Sequence, residues 1–409
     1  MVANAPISHC REEPLSNQES LPGAIVIGGY INALTTIRAL ASRGVKSIVI
    51  STTAADMAPW SRYADQTLKL RDLHSDPEKL IRLLKSQADS WKGKVLLPTN
   101  DHALEIISLH REELLEHYKP VAPAWPKVQS IIDKDHLYSQ AQKLNIPVAR
   151  DYGPVSHGLL EMEGLRFPLL VKPNHGYKYH ALFGTKVSVV RNDQELRDQV
   201  EILDSHGLEA RLMDLIPGPD TNCYNFTCYR GRQGEILGRF RIRKVRKSPP
   251  VFGVGRVACP TEENGFEEDA VKLMEAIDWH GPASLEFKQD SRDGKFYLLD
   301  FNGRLFLMAG VALQTGINYA HLAWTEAVGK PLYEPETNGW QGSWIHFLDD
   351  LYYSFIRSDL EQVKFAQFIS HYKRPRAFAV ASSRDPVPFL AQAFRGLKVL
   401  VSGGMPGGN

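Results

Sequence analysis

Apolar runs and apolar periodicities divide this chain into blocks. Near the start, GAIVIGG is a continuous apolar run ending in glycines, INALTTIRALASRG has helical spacing closed by Gly44, and VKSIVIS is again apolar. VLLPTNDHALEIISLH repeats strand, polar loop and helix around Leu96. This alternation predicts a doubly wound, Rossmann-like α/β layer with its functional loops at the carboxyl ends of the strands. Beyond the proline-rich PVAPAWP, IIDKDHLYSQAQKLNIPVARDYG predicts a helix with an extended exit through Pro147, and FPLLVKPNHG predicts a strand leading into a polar loop.

From Leu208 the pattern turns β-rich through EARLMDLIPGPD, NCYNFTCYR and GEILGRFRIRKVR. A helix, EDAVKLMEAIDW, precedes SLEFKQDSRDGKFYLLDFNGRLFL, which reads as two strands around a polar turn. After Lys330 the chain is rich in aromatic residues, and WIHFLDDLYYSFI predicts an amphipathic helix for a core or a dimer contact. The expected units are a disordered polar tail over 1–20, the α/β domain over 21–122, two lobes over 123–212 and 213–330, and a helical, aromatic extension over 331–409.

Composition narrows the function classes. At 409 residues, two or three packed domains are expected. Basic and acidic residues number 48 and 47, for a net charge of +1, so there is no general attraction to nucleic acid or to an anionic membrane. No apolar run approaches a membrane span, and the polar start lacks the apolar core of a signal peptide. Cys10, Cys223, Cys228 and Cys259 form neither a disulfide framework nor a C-x-x-C metal site, which suits reduced thiols and a cytoplasmic address.

The hairpin carries the first candidate chemistry. A turn centred on Asp293 places Glu286 opposite Asp300, with β-carbons roughly 5 Å apart. Alternation puts Asn302 and Arg304 on the face of Asp300, and turns Leu285, Phe287, Leu299 and Phe301 into a core. Opposed carboxylates repel unless a cation lies between them. Two carboxylates and an amide oxygen are hard ligands that suit Mg²⁺ shared with phosphates and water. The alternative is a surface hairpin whose acids face solvent beside Lys288.

A dinucleotide site fits poorly. Gly28-Gly29-Tyr30 breaks the G-x-G-x-x-G spacing, and the next strand ends at Ser51 without an acid for a ribose hydroxyl. Structural glycines in a tight turn are the better reading. In the loop Thr99-Asn100-Asp101, a ligand contact and a helix cap both remain open.

An acid-bearing strand followed by Asp300-Phe301-Asn302-Gly303-Arg304 resembles the metal-binding end of the ATP-grasp superfamily. Other landmarks fall in family order over roughly 21–329. Asp133-Lys134 and Val171-Lys172-Pro173 resemble the two phosphate-lysine segments. Met213 to Asp220, MDLIPGPD, resembles the interlobe hinge, with Asp214, Leu215 and Ile216 beside adenine and Asp220 on ribose. Arg243-Lys244-Val245-Arg246 with SPPVFG resembles the strand facing the transferred phosphate. RKVRKSPPVFG and the hairpin look most like the D-aspartate-ligase and carbamoyl-phosphate-synthase-like branch of carboxylate–amine ligases. Met213-Asp214 stands where the hinge commonly has Gln-Glu or Glu-Lys, and Asp300 and Gly303 stand in the usual Glu-x-Asn-Pro-Arg.

The resemblance implies a Rossmann-like pre-ATP-grasp domain followed by a two-lobed ATP-grasp fold. It implies ATP with Mg²⁺, or Mn²⁺ in its place, held by Glu286, Asp300 and Asn302. Lys134 and Lys172 would take phosphates, and Arg304 with Lys244 or Arg246 would stabilise the oxygens that gain charge. The partners implied are a small carboxylate and an amine, with a homodimer compatible and neither nucleic acid nor membrane required. The basic stretch Arg239 to Lys247 then serves a small anionic ligand. A polar loop, His175 to His180 with Gly176 and Lys178, is expected as a lid over phosphates. A nucleotide-binding protein without ligase turnover, and a carboxylase or kinase, are the alternative activities.

Overall fold

The computed structural model describes residues 21–71, 73, 75–155, 164–173, 179, 182–183 and 187–401. The polar tail over 1–20, most of the His175–His180 loop including Gly176 and Lys178, and the terminal GGMPGGN lie outside the described residues. No helix among the described residues is long and apolar enough to cross a membrane.

The first unit is the expected doubly wound layer, with helices α1 (Ile31–Ala41), α2 (Glu78–Ser86), α3 (Asp101–Leu109) and α4 (Arg111–Leu114) between its strands. β1 (Ala24–Ile27), β2 (Ser47–Ser51), β3 (Gln66–Lys69), β4 (Val95–Pro98) and β5 (Lys119–Pro120) form a parallel sheet in the order β3-β2-β1-β4-β5. β1, β2 and β4 are buried along their whole length, which is why they read as unbroken apolar runs. Gly28, at φ 107°, leaves no room for a side chain: a β-carbon there would lie 2.4 Å from the Thr99 hydroxyl. At Gly29 it would lie 2.5 Å from the Asp56 carboxyl group, which accepts hydrogen bonds from the amides of Thr52 and Thr53. The glycine pair is therefore needed for packing.

Two helices, α5 (Trp125–Ile132) and α6 (Lys134–Lys143), lead into a four-stranded antiparallel sheet. The spacing predicts one helix here, but Asp133 is extended (ψ 112°) and caps α6 by accepting from the amides of Asp135 and His136. The sheet, ordered β6-β9-β7-β8, comprises β6 (Asp151–Val155), β7 (Leu169–Pro173), β8 (Ser188–Val190) and β9 (Ala210–Asp214). With α7 (Asp193–Ser205) it encloses its own core of Leu169, Val171, Leu196, Val200 and Leu212.

A seven-stranded sheet, ordered β14-β13-β10-β11-β12-β15-β16, forms the large lobe. Its strands are β10 (Cys223–Arg230), β11 (Ile236–Ser248), β12 (Val254–Pro260), β13 (Gly281–Gln289), β14 (Phe296–Asn302), β15 (Ser343–Ile345) and β16 (Arg376–Phe378). Its core is continuous with that of the N-terminal layer. Ile25, Leu96 and Val128 belong to the same apolar cluster as Phe226, Leu285 and Phe287.

The segment after Lys330 completes this sheet. Trp344 and Ile345, expected in a helix, instead pair with Ala258 and Val257 of β12; a short helix, α8 (Phe347–Leu351), follows. The packing reason is Asp350, which is fully buried. Its carboxylate accepts two bonds from Arg246 (2.7 and 2.7 Å), one from Arg256 (3.0 Å) and one from the Tyr372 hydroxyl (3.0 Å). Removing one partner of such a group strands the remaining charges in the interior. Asp350→Ala is expected to destabilise the protein by about 3–5 kcal/mol, read from urea-unfolding midpoints. A loss under about 1 kcal/mol, the scale of an exposed pair, would show that the cluster does not anchor the segment.

Candidate active site

The hairpin sets the frame. Glu286 lies opposite Asp300, Leu285 opposite Phe301, and Ser284 opposite Asn302. Toward the turn the register shifts by one, so that Phe287 faces Leu298 and Leu299 is left as a bulge. The inward positions change accordingly. Leu298 is fully buried with Leu285 and Phe287, whereas Leu299, expected in the core, is half-buried and accepts a bond from the Tyr138 hydroxyl (3.0 Å).

Each acid meets a lysine from a different element. Lys134, the first residue of α6, donates to Asp300. Lys244 on β11 lies 2.5 Å from Glu286. Burial alone would raise the Asp300 carboxyl, but Lys134, and beyond it Lys172 and Arg304, hold it at about 2. Lys172 reaches this region from β7, with its ammonium 5.9 Å from the centre of the Tyr138 ring.

Arg304 ties the hairpin to the N-terminal layer. It donates to Asn302 Oδ1 (2.8 Å) and forks onto Asp101 at 2.7 and 3.1 Å. Burial works against its charge, yet Asp101 raises its pKa. The helix-cap reading of the Thr99–Asp101 loop is met by Asn100. Asn100 caps the helix Asp101–Leu109, and Asp101 reaches the site.

Arg246 is a correction. Its guanidinium is committed to buried Asp350, because a register irregularity between Lys244 and Arg246 interrupts the alternation of the strand. Lys244 alone of the two reaches the acidic pair. Lys247 comes to the cleft face instead, 3.8 Å from Asp220 and with Glu286 close enough to favour its charge. Burial opposes that charge, but Cys223, Glu286 and Asp220 outweigh it and raise its pKa.

At the hinge, Asp214 accepts from the Tyr152 hydroxyl (2.9 Å), and Ile216 is buried. Leu215 borders a cavity of about 530 Å³ between Phe167 and Val189 of the small lobe and Val251 and Phe252 of the β11–β12 loop. Asp220 accepts from the Val251 amide (3.3 Å).

Three neighbours of the site gave no signal of their own in the sequence. Asn225 pairs with Glu286 across β10 and β13; its amide donates to Ser284 (3.1 Å), while Oδ1 is buried without a partner. Lys247 and Lys288 are 4% and 7% exposed on the same face. Burial lowers the pKa of Lys288, and Lys247 adds to the effect.

The residues present fit a divalent cation and a polyphosphate. The opposed acids are compensated by two lysines, and an orphaned amide oxygen adjoins Glu286. Lysines and a cation can exchange roles in such a set: when phosphates draw the ammonium groups, hard oxygen donors remain for a metal.

No protein-family model matches the chain. It is similar to the D-aspartate ligase of Enterococcus faecium (strain Aus0004), with 23% identity over 339 residues, covering 78% of this chain and 80% of that protein. Among solved structures it is similar to the biotin carboxylase–β,γ-ATP complex from Campylobacter jejuni, with a TM-score of 0.60 and 17% identity over 78% of this chain and 74% of that one. It is also similar to the L-amino acid ligase from Bacillus licheniformis, with a TM-score of 0.58 and 17% identity over 77% and 76%. The shared feature is the fold.

The Asp300 carboxyl is expected to titrate near 2, and Lys134→Met to move it upward, read by carboxyl-carbon NMR. The folded-state pKa lies below the ordinary value of about 4. The stabilisation is therefore complete above about pH 4 and is lost as pH falls toward 2. The Asp300 side chain is 37% exposed, so solvent screening makes the loss modest. An unchanged titration in Lys134→Met would show that the pair does not set this carboxyl.

Proposed function

We propose that this chain, an ATP-grasp protein by fold, is an ATP-dependent carboxylate–amine ligase. The observation that carries the reading is the opposed pair Glu286 and Asp300, each matched by a lysine, at the meeting point of the N-terminal layer and both lobes. The curated relative that joins an amino acid and the fold neighbour named as an amino acid ligase support an amino-acid substrate.

A substrate carboxylate oxygen attacks the γ-phosphorus of ATP, giving an acyl phosphate and ADP. An amine then attacks the acyl carbon. The C–N bond forms, the bond from carbon to phosphate oxygen breaks, and phosphate leaves as the amine loses its proton. Glu286, Asp300 and Asn302 would hold Mg²⁺, which neutralises phosphate charge when bound. Lys134 and Lys172 orient the phosphates by leaving their ligand-free partners. Lys244 and Arg304 stand where the transferred group and the acyl oxygen gain charge, and donors already held in place cost little reorganisation. Asp101 holds Arg304 in that orientation through two bonds.

The shorter Asp300 is compatible with the chemistry. Opposition to Glu286 across the ladder puts both carboxylates on one face of the sheet without the extra methylene of a glutamate.

Glu286→Ala and Asn302→Ala are expected to lower amino-acid-dependent ADP release by about 10²–10³-fold or more, with far-UV circular dichroism and melting temperature retained. The assay supplies ATP, Mg²⁺ and a panel of amino acids and small carboxylates. Wild-type-like turnover in either variant would exclude the site. ADP release that depends on bicarbonate, and not on an amine, would assign a carboxylase instead.

A further inference from the structure

Strand β13 places a second polar group on the cleft face. Ser284, Glu286 and Lys288 alternate with the buried core residues Leu285 and Phe287. Lys288 lies two positions beyond Glu286, a rise of about 7 Å along a strand. The direction of that step is toward the hinge. Gln289 O, the next carbonyl, accepts from Asn222 Nδ2 (3.1 Å), and the Ser291 amide donates to Pro217 O (3.3 Å).

Lys288 is 7% exposed, yet among the described residues no hydrogen bond or ion pair engages its ammonium. Its cross-strand neighbour is Cys223, which is buried. The two acids that favour its charge have other partners, Lys247 and the Val251 amide for Asp220 and Arg292 for Asp290. A lysine held at 7% exposure with no hydrogen bond to its ammonium is costly, and proteins rarely retain one without use. An ammonium only donates, so its complement is an acceptor atom of a ligand.

A nucleotide with its phosphates at Glu286 and Asp300 and its base at the hinge passes over this position. On the hinge itself, the Asp214 carboxylate is taken by Tyr152. We propose that Lys288 is a base-recognition residue, donating from the large-lobe sheet to N3 or N7 of the purine, while Asp220 accepts from the ribose. The assignment deepens the ligase reading and rests on its nucleotide site. It makes the sheet floor, rather than a hinge side chain, the source of charged base contact.

The test is calorimetric binding of Mg²⁺-nucleotides to the full chain, independent of turnover. Wild type is compared with Lys288→Met, which keeps length without charge, and with Lys288→Arg. ATP affinity is expected to fall about 10–100-fold in Lys288→Met, the range for a bond to a charged group, and to recover in part in Lys288→Arg. Either 7-deaza-ATP or 3-deaza-ATP, each lacking one ring nitrogen, should bind wild type more weakly by a similar factor. The same analogue should match ATP on Lys288→Met. The wild-type analogue series keeps the assignment testable if Lys288→Met fails to fold.

Equal ATP affinity in Lys288→Met, or full ATP-like affinity of both deaza analogues for wild type, overturns it. So does a Lys288→Met loss that vanishes only with 2′-deoxy-ATP, which assigns the lysine to the sugar. ATP binding with the expected Lys288 pattern but without ligase turnover would overturn the function proposed above and leave this assignment standing.

Discussion

Two carboxylates face each other across a single pair of strands, and the rest of the site answers their repulsion. At a separation of about 5 Å and an effective dielectric near 20, two unit charges repel by about 3 kcal/mol. No one segment supplies the compensation. Lys134 comes from the first turn of a helix, Lys244 from the adjoining sheet, and Arg304 from the loop that leaves the hairpin. The acids therefore gather charges from three parts of the chain.

The packing explains how this convergence is held. The N-terminal layer and the large lobe share apolar clusters, so Asp101 and Arg304 are fixed relative to one another by a common interior. The four-stranded lobe has its own small core, and it meets the others through Met213 and Leu170, which pack into the shared cluster, as well as through polar contacts. Arg211 on β9 bonds to Asp151 and Asp135, and Lys172 approaches the Tyr138 ring.

The segment after Lys330 is structural at its centre. Through β15 and β16 it extends the large sheet, and through Asp350 it collects Arg246 and Arg256 into a closed network. A basic stretch that reads as one uniform stripe in the sequence is therefore divided in two. Lys244 and Lys247 serve the cleft face, and Arg246 serves the interior.

Much of the frame was legible from local pattern. Unbroken apolar strands between helices gave the doubly wound layer, because a parallel strand is buried on both faces. Strict alternation around Asp-Gly gave the opposition of Glu286 and Asp300, because side-chain direction in a strand has a period of two residues. What lay beyond reach depends on pairings between distant segments or on single irregularities. The bulge at Leu299 and the break between Lys244 and Arg246 each reverse a parity that counting extends unchanged. Asn225, Lys247 and Lys288 look like ordinary strand residues until β10, β11 and β13 lie side by side. Their burial and their lack or choice of partners are properties of the assembled sheet, and only the tertiary structure decided them.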